Sequence, residues 1–203
     1  MKKVFIFDFD GVIADTLQTV VPIYNRICDK YGLQEIRGKE EFTELFNGNF
    51  YEGLAAIGIS PQKSQGLLDE ILQGLVKEAA SIPPFYGIKE VLEQLGNKWP
   101  VLIITSNSSR VVQKFLDEKN ISGVKEVLGV EVDKSKVVKI NNIRNKYLGS
   151  IIYYIGDTTG DMLEGRRAQV KTIAVTWGFH SREKLKSAEP EFIVDSPRQL
   201  LSF

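Results

Sequence analysis

The fold is decided by the stretch KVFIFDFDGV at residues 3–12. Its first part, residues 3–8, is a run of β-branched and aromatic side chains that predicts a buried strand. Asp8 and Asp10 stand at the carboxyl end of this strand, where an open α/β sheet binds its ligands. The stretch therefore predicts the first strand of a sheet and the first two residues of a functional site.

The rest of the chain repeats this strand pattern and alternates it with helical periodicity. Strands are predicted at 100–105, 151–156 and 171–175, with shorter ones within 124–130 and near 191–194. Helices are predicted around 88–95, 111–116 and 137–147, between the strands at 151–156 and 171–175, and from Pro197 onward. This alternation predicts an α/β protein with a Rossmann-like, three-layer parallel sheet core and right-handed crossovers.

Residues 16–82 break the alternation, because they show helical periodicity without a clear strand. Helices are predicted from Leu17 to a stop at Gly32, at 39–46, at 50–57, and from Ser60-Pro61 to about residue 80. Such a stretch is too long for an ordinary loop. We therefore expect a small α-helical domain at 16–82, inserted into a core made of residues 1–15 and 83–203.

The composition excludes several classes of protein and of metal site. The 203 residues include 26 basic and 26 acidic ones, so no net charge favours nucleic acid or an anionic membrane. With 1 His and 1 Cys, the chain cannot form an intrachain disulfide or a metal site of several His or Cys ligands. No apolar stretch approaches the roughly 18 residues of a membrane span, and Asp8 and Asp10 interrupt the N-terminal apolar run before signal-peptide length. We expect a cytoplasmic protein without nucleic-acid or membrane partners.

Polar side chains gather at three of the predicted strand ends. They are Asp8 and Asp10 after the first strand, Thr105-Ser106-Asn107 after the second, and Asp157 with Asp161 after the strand at 151–156. Four carboxylates at one rim repel each other unless they take up protons or a cation lies among them. Without clustered His or Cys that cation is bound by oxygen, and Mg²⁺ fits best because it leaves places for water and phosphate. The rim is thus typical of a phosphate-binding metal site.

Four motifs, in the same order along the chain, resemble those of the haloacid dehalogenase-like (HAD) hydrolase superfamily. They are Asp8-Phe9-Asp10-Gly11-Val12 with Asp15-Thr16, then Thr105-Ser106-Asn107, then a lysine before a helix, then Gly156-Asp157-Thr158-Thr159-Gly160-Asp161. The insertion at 16–82 resembles the helical cap of the subgroup that contains phosphoglycolate phosphatase and β-phosphoglucomutase. The tail Thr176-Trp177-Gly178-Phe179 is similar to the phosphoglycolate phosphatase-like branch. The resemblance covers essentially the whole chain.

This resemblance implies a Mg²⁺-dependent phosphatase that acts on a small phosphorylated metabolite, such as 2-phosphoglycolate or a sugar phosphate, through an aspartyl-phosphate. Asp8 would be the nucleophile, and Asp10 would be the general acid and base. Asp8, the backbone carbonyl of Asp10 and Asp157 would bind the metal. Asp161 is a further acidic candidate for the metal site.

The transferring phosphoryl group also needs hydrogen-bond donors and a cation. Thr105-Ser106-Asn107 would bind it through the Thr105 hydroxyl and the two following backbone amides. Lys134 and Lys136 compete for the role of the catalytic and phosphate-binding cation. Lys134 is preferred, because it directly precedes the helix start at Ser135 and because its spacing to the fourth motif is similar to the family's.

Three alternative functions share this type of core. A phosphosugar mutase would use the same residues and return the phosphoryl group to its substrate. A phospho-aspartate receiver or switch module also places acids around Mg²⁺, but it is compact, so the insertion disfavours it. A dehalogenase is disfavoured because, by resemblance, it lacks the second Asp of the first motif, which is Asp10 here.

We expect the cap to select the substrate, whose identity the sequence does not give. The sequence also does not decide between a monomer and a homodimer. Arg37, Lys39 and Asn49 are candidate contacts, although ordinary surface is the favoured interpretation of each. His180 is expected in a loop, without a catalytic role.

Overall fold

A parallel sheet forms the centre of the protein, whose computed structural model describes residues 2–44 and 50–203. The strands of the described chain are Lys3–Phe7 (β1), Val101–Ile104 (β2), Glu126–Leu128 (β3), Ile151–Gly156 (β4), Lys171–Val175 (β5) and Phe192–Val194 (β6). They lie in the order β3-β2-β1-β4-β5-β6, and every neighbouring pair is parallel. The predicted α/β class with a parallel sheet is confirmed.

Helices cover both faces of this sheet. They are Leu17–Ile27 (α1), Lys39–Glu44 (α2), Phe50–Ala56 (α3), Pro61–Glu78 (α4), Ile88–Gly96 (α5), Ser109–Glu118 (α6), Lys136–Lys146 (α7), Thr159–Arg167 (α8) and Arg182–Ser187 (α9), with 3-10 turns at Cys28–Tyr31 and Pro197–Ser202. Phe5 and Phe7 share a cluster with α5 and α6, whereas Val4 and Ile6 pack with α7 on the opposite face. Because both faces are buried, β1 is apolar throughout rather than alternating. The periodicity predicts all of these helices except α9, and the expected terminal helix is a 3-10 turn.

Side-chain caps start the helices that follow the strands nearest the site. Ser108 accepts a hydrogen bond from the backbone of Val111 at the start of α6, and Ser135 accepts one from Val138 at the start of α7. Thr158 caps α8 in a reciprocal arrangement with Asp161, whose side chain accepts from the Thr158 backbone. Such caps satisfy backbone donors that a helix start leaves unpaired. They therefore fix where each helix begins relative to the strand end before it.

The helices α1 to α4 lie between β1 and α5, as expected for the insertion. The described part of 16–82 contains no strand. The helix predicted at 39–46 is found as α2, and its predicted end, like Asn49, falls outside the described residues. The division into a cap of 16–82 and a core of 1–15 and 83–203 stays a prediction.

The insertion contacts the rest of the protein close to the carboxyl edge of the sheet. Lys39 Nζ of α2 donates to the carbonyl of Gly178 at 2.7 Å, and His180 Nε2 lies 3.3 Å from the carbonyl of Thr43. At the far end of α4, Lys114 Nζ donates to the carbonyl of Val76 at 3.0 Å. The helices of the insertion thus lie over the sheet edge where the polar side chains were expected. In the described chain, no helix has the length and apolar character that crossing a membrane requires.

Candidate active site

Three buried carboxylates meet at the carboxyl edge of the sheet. Asp8 follows β1, Asp157 follows β4, and Asp161 lies in the first turn of α8. One carboxylate oxygen from each lies within 4.8 Å of the others. Strands β1 and β4 are neighbours, but the chain leaves β1 towards β2 on its other side. The cluster therefore occupies a topological switch point, the place where an open α/β sheet forms its ligand crevice.

Asp161 is held by hydrogen bonds to both of its oxygens. Its Oδ1 accepts from Lys136 Nζ and from the Tyr154 hydroxyl, each at 2.7 Å. Its Oδ2 accepts from the Thr158 hydroxyl at 2.7 Å and from the Thr158 amide at 3.1 Å. Burial alone would raise the pKa of Asp161, but the Lys136 ammonium and these hydrogen bonds outweigh it and hold that pKa below its ordinary value. Asp161 is therefore ionised and fixed, and it orients Lys136.

The structure corrects the choice between the two lysines. Lys136 Nζ donates to Asp8 Oδ2 at 2.7 Å as well as to Asp161, and its side chain is buried. Lys134 is exposed, and its Nζ donates to Gln65 of α4 at 2.8 Å. The expectation that Lys134, rather than Lys136, lies against the acids is therefore wrong. The physical reason is the Ser135 cap, because the chain turns into α7 there and the first helical residue, not the residue before the cap, points at the acids.

Charge balance keeps Lys136 protonated. Burial alone would lower the pKa of Lys136, but Asp161 and Asp8 outweigh it and raise that pKa well above the ordinary value. Burial raises the pKa of Asp8 to about 8, against the opposing effect of Lys136. Burial, together with Asp161 and Asp8, also raises the pKa of Asp157 well above its ordinary value. Without another cation, Asp8 and Asp157 therefore tend to hold protons, because one ammonium does not compensate three carboxylates.

The carboxylate of Asp157 has one oxygen bound and one without a partner. Its Oδ2 accepts from the backbone amide of Phe179 at 2.7 Å. Its Oδ1 is buried and has no hydrogen-bond partner in the described ranges 2–44 and 50–203. A buried oxygen of this kind is costly unless something else coordinates it. The three acids and Lys136 leave two negative charges uncompensated when all are ionised, so the site fits a divalent cation bound by oxygen.

Two glycines allow the backbone to approach Asp157. A Cβ atom added at Gly11 would lie 2.0 Å from Asp157 Oδ2, and one added at Gly178 would lie 2.3 Å from the same oxygen. Gly11 also has a φ of +77°, which other residues rarely adopt. The two loops that carry these glycines therefore close over Asp157 in a way that only glycine permits.

Asp10 points away from the acid cluster towards the end of β2. Its carboxylate accepts from Asn107 Nδ2 at 3.4 Å and from the Thr105 hydroxyl at 3.5 Å. Thr16, the residue before α1, also donates to it. Burial raises the pKa of Asp10, and the hydrogen bonds from Thr16, Asn107 and Thr105 oppose this only in part. Asp10 is therefore suited to hold a proton as well as to release one.

The triplet Thr105-Ser106-Asn107 supports Asp10, with one difference from expectation. The backbone amide of Asn107 was expected to face the phosphoryl group, but it donates to Thr105 Oγ1 at 2.9 Å. Thr105 is fully buried, while Ser106 is partly exposed and lines a cavity beside Asp10. The loop thus holds the Thr105 hydroxyl and the side-chain amide of Asn107 next to the Asp10 carboxylate.

One further buried residue beside the site, Lys139, has no clear sequence motif. Lys139 is fully buried, and its Nζ donates to the carbonyls of Thr105 at 2.7 Å and Gly129 at 3.0 Å. Burial, with help from Lys136, lowers the pKa of Lys139 to about 8. The i, i+3 spacing of Lys136 and Lys139 on a predicted helix is the signal that could have placed both on one face.

His180 lies in a loop as expected, and it is buried there. Its Nδ1 accepts from the backbone amide of Thr159 at 3.0 Å, and its Nε2 faces the carbonyl of Thr43 in α2. Since Nδ1 accepts, Nε2 carries the proton and donates. The His180 ring therefore links the start of α8 to the insertion.

The sequence is similar to a family of hydrolases and to named phosphatases. Residues 5–175 match the protein family described as haloacid dehalogenase-like hydrolase. A phosphoglycolate phosphatase from Synechococcus elongatus is 28% identical over 203 residues, which cover 98% of this chain and 95% of that protein. A protein named probable phosphatase IndB, from Dickeya dadantii, is 50% identical over 97% of this chain and 90% of its own length.

The fold also matches solved structures. A protein from Clostridium acetobutylicum, described as a predicted phosphatase, superposes with a TM-score of 0.85 at 18% identity. The match covers 100% of both chains. At this identity the likeness shows the shared fold.

Proposed function

The chain belongs to the family of haloacid dehalogenase-like hydrolases, as its motifs indicated, and we propose that it hydrolyses a small phosphorylated metabolite through an aspartyl-phosphate, with Mg²⁺ as its cofactor. It is an enzyme of the phosphatase class, like the curated relatives that match 97% or more of its length. The metal, the covalent intermediate and the substrate are the proposed parts. Cytoplasmic location stays a prediction.

The proposal rests on the two neighbours of Asp8, which are the Lys136 ammonium and the Asp157 carboxylate. Lys136 Nζ lies 2.7 Å from Asp8 Oδ2, and the unpartnered Asp157 Oδ1 belongs to the same acid cluster. Asp8 and Asp157 would hold Mg²⁺, together with the backbone carbonyl of Asp10 that the resemblance implies. When bound, the ion would neutralise charge on the phosphoryl oxygens and keep both carboxylates ionised. Asp161, whose oxygens are already engaged, supports the site by holding Lys136.

In the first half-reaction the Asp8 carboxylate attacks phosphorus. A bond forms between an Asp8 oxygen and phosphorus while the bond from phosphorus to the substrate oxygen breaks. The Asp10 carboxyl gives its proton to that departing oxygen, and its raised pKa makes a proton available there. The Lys136 ammonium, which stands against Asp8, stabilises the charge on the transferring group.

In the second half-reaction water replaces the alcohol. The Asp10 carboxylate takes a proton from the water as the water oxygen attacks phosphorus, and the bond between phosphorus and Asp8 breaks. Inorganic phosphate leaves, and both aspartates return to their first state. Thr105 and Asn107 hold the Asp10 side chain in place for both proton transfers.

Removal of Mg²⁺ is expected to abolish phosphate release. With EDTA, turnover of acetyl phosphate should fall at least about 100-fold and return on addition of Mg²⁺, because without the ion the raised pKa values of Asp8 and Asp157 favour protonated carboxyls and Asp8 cannot then attack phosphorus. Mg²⁺ alone should also raise the melting temperature, since an ion that binds only the folded state stabilises it by about 2.7 kcal/mol at 100 times its Kd. Undiminished turnover in EDTA would refute the metal.

Product analysis of the same reactions separates hydrolysis from isomerisation. A panel of sugar phosphates, nucleoside monophosphates and 2-phosphoglycolate is assayed for inorganic phosphate and for isomeric esters. Phosphate is the expected product. An isomeric sugar phosphate without phosphate release would instead identify a phosphosugar mutase.

Substitution of Gly11 by Ala is expected to weaken Mg²⁺ activation. The new Cβ would overlap Asp157 Oδ2 and displace that carboxylate, so the Mg²⁺ concentration for half-maximal activity should rise at least about tenfold. Gly149→Ala is the matched control, because Gly149 has a φ of +76° but no atom within 4 Å of an added Cβ. Both variants carry about 1 kcal/mol of backbone strain. Equal Mg²⁺ requirements in the two variants would show that the approach to Asp157 does not matter.

A further inference from the structure

A cavity lies beside Asp10, between the insertion and the sheet edge. Its volume is about 70 Å³. Asp10, Thr16 and Asn107 lie on one side of it, the side of the proposed chemistry. The group that leaves phosphorus receives its proton from Asp10, so the organic part of the substrate extends into this cavity. The side chains of the cavity therefore bear on which alcohol is accepted.

The opposite wall of the cavity is apolar. Helix α4 contributes Leu68, Ile71, Leu72 and Leu75, which share one face of that helix. Val20 of α1 lies beside them, and Phe42 and Phe179, whose rings meet edge to face, complete the wall. No polar side chain of α4 faces the cavity among the residues described.

Among the described residues, the lining of the cavity offers no cation to a second anionic group. In the ranges 2–44 and 50–203, the residues that line the cavity include no Lys, Arg or His. Lys136 is engaged with Asp8 and Asp161, and Lys39, the cation of α2, donates to the carbonyl of Gly178. A carboxylate on the departing alcohol would thus be buried among aliphatic side chains and close to Asp10. Burying a charge without a partner is strongly unfavourable, whereas an alkyl group gains from burial.

We propose that the cavity binds a short apolar group of the departing alcohol, and that the substrate class is the phosphate monoester of a neutral alcohol with no second anionic group near the ester carbon. This inference rests on the proposed phosphatase function and narrows its substrate. A cavity of about 150 Å³ lined by Leu, Ile and Phe binds benzene, so one of about half that volume suits a short alkyl group.

The test compares two esters of the same shape. In both isobutyl phosphate and 2-phosphoglycolate, a methylene group follows the ester oxygen and a branched carbon follows the methylene. That carbon bears two methyl groups in isobutyl phosphate and the two oxygens of a carboxylate in 2-phosphoglycolate. With Mg²⁺, kcat/KM for isobutyl phosphate should exceed that for 2-phosphoglycolate at least about tenfold. Acetyl phosphate, whose activated leaving group does not depend on the cavity, reports the phosphatase chemistry itself.

The possible results separate the two proposals. If acetyl phosphate is hydrolysed and 2-phosphoglycolate is used as well as isobutyl phosphate or better, the inference about the cavity is overturned while the phosphatase stands. If no ester and no acetyl phosphate is hydrolysed, the proposed function fails and the inference fails with it.

A charge placed in the wall provides a second test. Leu72 is half-buried and lines the cavity, so Leu72→Lys would bring an ammonium to the organic part of the substrate. The ratio of kcat/KM for 2-phosphoglycolate to that for isobutyl phosphate should rise at least about tenfold in this variant and stay near wild type in Leu72→Met. Because the ratio compares two substrates on one preparation, loss of folded protein cancels. An unchanged ratio in Leu72→Lys would overturn the assignment of the cavity.

Discussion

Asp8→Asn is expected to lower kcat for acetyl phosphate at least about 10⁴-fold, the scale of loss when a covalent nucleophile is removed. The amide of Asn has the shape of the carboxylate but cannot form the acyl phosphate. Its nitrogen or its oxygen would also have to face Lys136, and only the oxygen could accept from that ammonium. The variant therefore keeps the volume of the site and loses its reacting group.

A direct measurement of the covalent intermediate accompanies the kinetics. Wild-type enzyme mixed with ³²P-labelled acetyl phosphate and quenched in acid should retain label on the peptide that contains Asp8, while Asp8→Asn should retain none. Asp117→Asn serves as the matched control, because Asp117 is an exposed carboxylate on α6 whose contact is Gln113. Label on the Asp8→Asn protein, or phosphate release at the wild-type rate, would refute Asp8 as the nucleophile.

The sheet and the rim of acids could be predicted because their physical signals are local. Strands buried on both faces are continuous apolar runs, and β1, β2 and β4 are each followed directly by a polar residue of the site. These residues are Asp8, Thr105 and Asp157. Asp8 and Asp157 follow paired strands whose register places Phe7 opposite Ile155, so they emerge within one residue of each other. Asp8 and Asp157 are far apart in the sequence, but their proximity is still predictable because parallel pairing brings the carboxyl ends of β1 and β4 together.

The identity of the lysine could not be predicted, because it depends on the exact start of a helix. Lys134 and Lys136 lie on either side of the Ser135 cap, and only the three-dimensional turn decides which one reaches Asp8. The role of Lys139 is equally hidden, because its partners are the carbonyl groups of Thr105 and Gly129 on other elements. The apolar wall of the cavity is visible as periodicity in α4, but periodicity alone cannot tell a packed face from a lining one.

Lys136→Met should cause the second large effect, and Lys134→Met is its matched control. Without the ammonium, kcat should fall about 10² to 10³-fold, as when a donor that stabilises the transition state is removed. Lys134 is exposed and contacts Gln65 of the insertion, so its substitution should change kcat by less than about twofold. Both variants replace a lysine by methionine at positions two residues apart, so the comparison isolates the contacts of Lys136 with Asp8 and Asp161.

Stability should follow the same contrast. Lys136 is paired with Asp8 and Asp161, and all three side chains are buried. Removal of one member of a buried ion pair costs about 3 to 5 kcal/mol because the remaining charge is left without a partner. Urea unfolding in EDTA should therefore show a free energy of unfolding lower by about that amount in Lys136→Met, and a change within about 0.5 kcal/mol in Lys134→Met.

The loss of stability in Lys136→Met should depend on pH, and the shifted pKa values give the direction of that dependence. The pKa of Asp161 is lowered in the folded protein, so its stabilising contribution is present above its ordinary value of about 4 and is lost as the pH falls through the lowered value. The pKa of Lys136 is raised, so its contribution is complete below its ordinary value of about 10.4. The carboxyls of Asp161 and Asp8 bind more protons in the folded variant than in the folded wild type, because they lose the ammonium that favours their ionised forms. The difference in the free energy of unfolding should hence become small only when the pH falls below the lowered pKa of Asp161, and it should grow as the pH rises from there through neutrality. A difference that is independent of pH would mean that Lys136 acts by packing rather than by charge.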